Sequence, residues 1–168
     1  MRTREEIEKT ASIVGSDKII LNEENLAGMD LSKIDLSGAQ MNTANLRGTN
    51  FEHANLTKTS LEKANLIKAN LKNANLSEGK LFMAHLMEAD LRNANLSKVY
   101  LGKADLRGAK LENCNLSEAK LHFTDLRGVN LSKAILSGVD LKEARYNLAT
   151  KWPPDLVSPD LTGAKLEE

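Results

Sequence analysis

From Leu21 to Tyr146 every fifth residue is apolar, Leu at most of these positions, with Met41, Phe51 and Tyr146 as variants. Two residues before these centres the side chain is small: Ala44, Ala54, Ala64, Ala74, Ala84, Ala94, Ala104 and Ala119 hold the site, and Gly79, Thr124 and Val129 are exceptions. Asn or Asp usually stands between, as in "ANL" at Ala54 to Leu56 and "ADL" at Ala104 to Leu106. A period of five fits neither the helical period of about 3.6 nor the alternation of a long strand. It demands a unit that turns a corner after each short extended piece. With only two residues in five reliably apolar or small, the core has to be a narrow column lined by Leu, with Ala where space is tight. Stacked coils about 4.8 Å apart would supply each other's backbone partners, leaving only the two ends unpaired.

The phrase A-(D/N)-L-x-x, kept in frame from about Ile19 to about Leu148, resembles that of the pentapeptide-repeat family. The resemblance implies an all-β solenoid, a right-handed quadrilateral β-helix in which four pentapeptides make one coil. The central Leu and the small residue would point inward and the other three positions outward. On this reading the chain divides into an N-terminal helical cap over 1–18, a β-helix of about 6.5 coils over 19–148, and an irregular C-terminal cap or degenerate coil over 149–168.

Both ends carry signals of their own. Thr3 and Glu6 form a T-x-x-E capping box, and Ile7, Ala11 and Val14 lie close to one face of a helix from about Arg4 to Ser12. That helix would cover the first coil. After Tyr146 the phrase fails at Lys151, and "KWPPDLVSP" brings Trp152 and prolines that have no N–H for a ladder. Yet "PDLVS", "PDLTG" and "AKLEE" return to the five-residue frame, so a degenerate coil and a folded-back cap both stay open.

Lys+Arg and Asp+Glu each total 23, so long-range attraction to nucleic acid or an anionic membrane has no bulk support. No apolar run has the length of a signal peptide or a membrane span, which points to a cytoplasmic protein with no membrane partner. The lone Cys114 forms no intrachain disulfide and takes an inward small-residue position.

If four units close a coil, residues twenty apart stack, and the surface sorts into four faces. The first, centred on Leu36 through Leu136, alternates Lys58, Glu78, Lys98 and Glu118 in one column. The second pairs Glu52 with Lys72 and Arg92 with Glu112, and stacks Asn73, Asn93 and Asn113. The third puts Arg47, Arg107 and Arg127 in one column, interrupted by Ile67 and Met87, with Asp105 and Asp125 placed for local ion pairs. These read as solvated structural faces.

The fourth face departs from the phrase. Before its centres stand Ile20, Gln40, Ser60, Lys80, Tyr100, Lys120 and Asp140, where only the last keeps the family's Asn or Asp. After them, Phe82 and Met83, Gly102 and Lys103, His122 and Phe123 point outward. Coil stacking brings Phe82, Met83, Tyr100, His122 and Phe123 within about 10 Å along the axis. Met87 and Ile67 would extend this group around the corner, and Lys80, Lys103, Lys120 and Glu88 would rim it. That is the composition of a protein-partner surface, and the alternatives are cover by the chain's own termini or drift on a tolerant surface.

His53, His85 and His122 fall on three different faces, which disfavours a shared metal site. Cys114 has no paired His, the turn glycines form no phosphate loop, and a convex solenoid without insertions offers no obvious pocket. The expectation is a non-catalytic, cofactor-free interaction or scaffold module with a protein partner and no nucleic acid. The family resemblance also implies a DNA-mimicking, gyrase-binding role, which the neutral charge disfavours. A self-assembling spacer is a third possibility, and the oligomeric state is open.

Overall fold

The computed structural model describes residues 2–156 and 163–167. Parallel β-bridges join each residue before a centre to its counterpart twenty positions on, from Ile20 with Gln40 through Asp125 with Arg145. One bridge recurs in every five-residue unit, so four short rungs close each coil and the coils stack along one axis.

One unit shows why the period is five. The Leu61 N–H donates to the Lys80 carbonyl of the next coil at 2.7 Å, and the Lys63 N–H to the Phe82 carbonyl at 2.9 Å. The Ala64 N–H closes a turn on the Leu61 carbonyl at 3.1 Å, with Lys63 at φ 58°. From Glu23 to Gly128 the residue two after each centre turns the corner in the left-handed region, which costs a residue with a Cβ about 1 kcal/mol or more. Gly108 and Gly128 adopt it freely, at φ 70° and 72°, and Asn73, Asn93 and Asn113 tolerate it. The same conformation is imposed on Met83 (φ 59°), Lys103 (φ 59°) and Phe123 (φ 60°).

The centres form the core column: Leu21 through Leu131 are essentially inaccessible, Met41 and Phe51 included. Thr49, Thr59 and Thr124 hold small inward sites, and their hydroxyls donate to the carbonyls of Leu26, Leu56 and Leu101 at 2.8, 2.7 and 2.8 Å. No buried hydroxyl among these three is left unpaired.

The Asn or Asp before each centre has a backbone task. Asn75 Oδ1 accepts from the Ser77 N–H at 3.1 Å and from Asn95 Nδ2 of the next coil, also at 3.1 Å. One side chain thus ties down the turn that follows it and the coil above it.

Helix α1 spans Arg4–Val14. Glu6 N–H donates to the Thr3 hydroxyl and the Glu6 carboxylate accepts from the Thr3 N–H, closing the capping box. Ile7 is fully buried against the core, and the Arg4 guanidinium donates to the carbonyls of Asp30 and Ser32 at 3.2 and 2.9 Å. Val14, the last residue of the helix before the Gly15 cap, does not share that burial and lies 41% exposed.

At the other end, Arg145–Tyr146 (β1) pairs in parallel with Lys165–Leu166 (β2), twenty residues on, which places the second strand as the next rung. The failure of the phrase at Lys151 is a one-residue insertion: Asn130 bridges to Lys151, and Thr150 takes the inward small site with its hydroxyl on the Leu126 carbonyl at 3.0 Å. Trp152 then stands where a centre is due, its ring edge-on to Tyr146 at 5.6 Å. The part of "PDLTG" before Gly163 lies outside the described residues. Leu136 is only partly buried, facing an open cleft with Pro153 and Leu156.

Candidate interaction surface

The charge ladders link adjacent coils on three faces. Lys58 meets Glu78 at 3.7 Å, Lys98 meets Glu118 at 3.9 Å, and Lys72 meets Glu52 at 3.8 Å. Arg92 turns instead to Asp90, Nε to Oδ1 at 2.8 Å, because a carboxylate two residues back in the same turn is closer than Glu112 one coil away. On the third face Asp125, buried itself, receives Arg127 Nη2 at 2.6 Å and Arg145 Nη2 at 3.1 Å, while Glu167 sits 3.5 Å from Arg127 Nη1. Burial pushes the Asp125 carboxyl up, but the Arg127 side-chain and backbone hydrogen bonds outweigh it and hold the carboxyl below its ordinary value. Arg47, in the same column, is exposed.

On the fourth face the residues that break the repeat phrase meet. The Phe82 and Tyr100 rings stack in parallel, 5.7 Å between centroids and 3° between planes. Gly102 follows Tyr100 by two residues and stands one coil on from Phe82, and a Cβ there would stand 3.0 Å from Tyr100 Cζ and Oη. The missing side chain is what lets the Tyr100 ring lie across its own turn to reach Phe82. Lys103 Nζ is 5.8 Å from the Phe82 centroid and 6.0 Å from that of Phe123, so one ammonium serves two rings. Phe123 is 51% exposed and Met83 40%, and neither the described part of the tail nor α1 covers them.

His122 Nε2 contacts Asp140 Oδ2 at 2.5 Å, so this imidazole leans up the stack toward the carboxylate. Met87 and Ile67 stand in the column of the adjoining face, where Met87 Sδ is 3.5 Å from Arg107 Nη2. The ring contacts join Phe82, Tyr100, Lys103 and Phe123, whereas the recorded partner of Met87 is Arg107. Glu88, placed in the rim, pairs with Lys68 at 3.4 Å.

A feature the repeat pattern concealed lies on the other side of Tyr100. An open groove of about 650 Å³ runs along the corner, lined by Glu62, Glu78, Lys80, Lys98, Tyr100, Lys120 and His122. Long side chains at the corner raise its walls above the convex backbone. Among the described residues, no three His, Cys, Asp or Glu side chains are placed to hold a metal. Burial pushes the Cys114 thiol up to about 12, which leaves it a core residue without thiolate reactivity. No described helix is long and apolar enough to cross a membrane.

The model of a family described as pentapeptide repeats matches residues 20–54, 44–81, 84–122 and 114–145. Comparison with curated protein sequences gives no match. Among solved structures, HetL, a pentapeptide repeat protein involved in heterocyst differentiation regulation from the cyanobacterium Nostoc sp. strain PCC 7120, is 32% identical. The match covers 86% of this chain and 69% of HetL, with a TM-score of 0.45. Rfr23, a pentapeptide repeat protein from the cyanobacterium Cyanothece 51142, is 25% identical over 86% of this chain and 97% of its own, with a TM-score of 0.38. Full-length QnrB1, a plasmid-mediated fluoroquinolone resistance protein, shares 16% identity over 91% of this chain and 88% of its own, with a TM-score of 0.52, a likeness of fold alone.

Proposed function

The chain belongs to the pentapeptide-repeat family, and from that premise we propose that it is a non-catalytic interaction module, a right-handed quadrilateral β-helix that docks a protein partner on its fourth face. The observation that carries this reading is the cluster of Phe82, Tyr100, Lys103 and Phe123, assembled from three coils while Leu81, Leu101 and Leu121 keep their buried register. The outward positions depart from the repeat where the inward ones do not, so folding alone does not account for them. Aromatic and Met side chains give large, adaptable contact area, and exposed lysines rim it, which is the anatomy of a partner surface.

A DNA-mimicking role directed at gyrase, drawn from the family resemblance, needs a continuous acidic column. The ladders here alternate Lys with Glu, and total charge is balanced. That pattern weighs against mimicry.

The test is affinity capture from the native host with wild type and a Phe82→Ser/Met83→Ser/Phe123→Ser variant, melting curves confirming that both are folded. The expected result is a specific protein captured by wild type and lost by the variant. Equal capture by two folded proteins overturns the reading.

A further inference from the structure

We propose that the fourth face takes an acidic segment of a partner protein: a stretch in polyproline II conformation lying along the coil axis, with two carboxylate side chains three residues apart and an apolar residue between them. This rests on the docking surface assigned above and names its occupant.

On the other faces part of the donor set finds acceptors within the chain, although Lys33, Arg47 and Lys133 have no carboxylate partner among the described residues. Lys58, Lys68, Lys72 and Lys98 each have a glutamate of a neighbouring coil. On the first face the N–H groups of Ser77, Ser97 and Ser117 donate to Oδ1 of Asn75, Asn95 and Asn115 at 3.1, 3.1 and 3.0 Å. On the fourth face Lys80, Tyr100 and Lys120 occupy the acceptor position. Among the described residues, the N–H groups of Phe82, Gly102 and His122 accordingly have no acceptor in the chain; Gly102 is buried beneath the Tyr100 ring, so the amides offered outward are those of Phe82 and His122, and no carboxylate pairs with Lys80, Lys103 or Lys120. Single lapses occur elsewhere, as at His85 before Met87, but three consecutive rungs without the acceptor occur only here between Leu81 and Leu121 among the described residues. Ammonium and amide donors that have no acceptor of their own are complementary to carboxylates.

Geometry sets the spacing. Lys80 and Lys120 flank Tyr100 as successive rungs, two coils apart, or about 10 Å. In a peptide of polyproline II conformation, which repeats every three residues and rises about 3.1 Å per residue, side chains i and i+3 share one face about 9 Å apart. The middle of such a segment falls beside the Tyr100 ring, where an apolar side chain has a partner. Glu62 and Glu78 in the groove lining decide between classes of anion. A nucleic acid carries a charge at every step and meets both glutamates with phosphate, whereas a peptide places a neutral residue there.

The test is selection from a displayed library of random peptides of about 12 residues, long enough to span the three rungs, followed by fluorescence anisotropy of the selected peptides on the full chain. The expected outcome is enrichment of Asp and Glu around an aromatic or aliphatic residue. The decisive variant is Lys80→Asn/Lys120→Asn, which removes two ammonium groups and restores the acceptor of the repeat. It should weaken the selected peptides about tenfold or more, with the melting temperature unchanged or raised, and the difference should shrink as salt rises. Selection of neutral or basic peptides that the Phe82→Ser/Met83→Ser/Phe123→Ser variant no longer binds would overturn the acidic occupant and leave the docking surface standing. Selection of the same peptides by that variant would overturn both. Tighter binding of a single-stranded oligonucleotide than of the peptides, lost in Lys80→Asn/Lys120→Asn, would replace the protein occupant with a nucleic acid and overturn the proposal.

Discussion

The Tyr100 ring reaches the Phe82 ring, parallel within 3° and 5.7 Å away, by crossing its own turn at Gly102, where a side chain would stand in the way. Gly102 is not among the glycines with positive φ, so its role is space and not backbone freedom.

Gly102→Ala therefore acts on the surface and spares the fold. Its Cβ, 3.0 Å from Tyr100 Cζ, drives the ring off Phe82 while the backbone stays allowed. Loss of the stack is expected to cost about 1 kcal/mol, with a changed near-ultraviolet tyrosine signal and an unchanged far-ultraviolet spectrum. A tyrosine signal identical to wild type would refute the contact.

Leu91 is 1% exposed at the centre of the stack. Leu91→Ala is expected to lose about 2–5 kcal/mol in urea unfolding, since the narrow column closes poorly over a cavity. Its neighbour Arg92 faces outward on Asp90, and Arg92→Ala should cost far less. Comparable losses would contradict the inward and outward assignment.

Met83 pays the left-handed turn conformation at φ 59° with a side chain 40% exposed. Met83→Gly should thus stabilise the chain, by about 0.5–1 kcal/mol after the greater entropy of the unfolded glycine is counted. A simultaneous loss of partner binding would mark Met83 as held for contact at the expense of stability. Destabilisation would show that Met83 packs more than its exposure implies.

Acid should loosen the C-terminal coils. Burial pushes the Asp125 carboxyl up, yet the Arg127 hydrogen bonds and the Arg127 and Arg145 charges win, so its folded value lies below the ordinary 3.8. As pH falls through 3.8 the unfolded chain takes up the proton first. The stabilisation is complete above that value and is lost progressively as pH drops to the folded value. Asp105 and Asp90 shift in the same direction. Melting temperatures measured across this range should fall steeply for wild type and less steeply for Asp125→Asn, which starts lower at neutral pH. Parallel curves would remove Asp125 from the account.

The amino-acid sequence determined the coil. A five-residue period of Leu with a small residue two before it admits one economical solution, and the register of every centre from Leu21 to Leu131 followed from it, because burial leaves no second choice for an apolar column. It also marked the unusual stretch from Lys80 to Phe123, since outward positions that break a repeat are visible without coordinates. Sequence spacing did not reveal that Lys151 falls out of frame through one inserted residue, that Arg92 prefers Asp90 to Glu112, or that Val14 lies exposed. Those outcomes depend on competing distances of a few ångströms. The groove beside Tyr100 likewise exists only once coils are stacked. Stacking brings residues twenty apart into contact, and side chains then choose among partners from three coils, a choice that linear order does not encode.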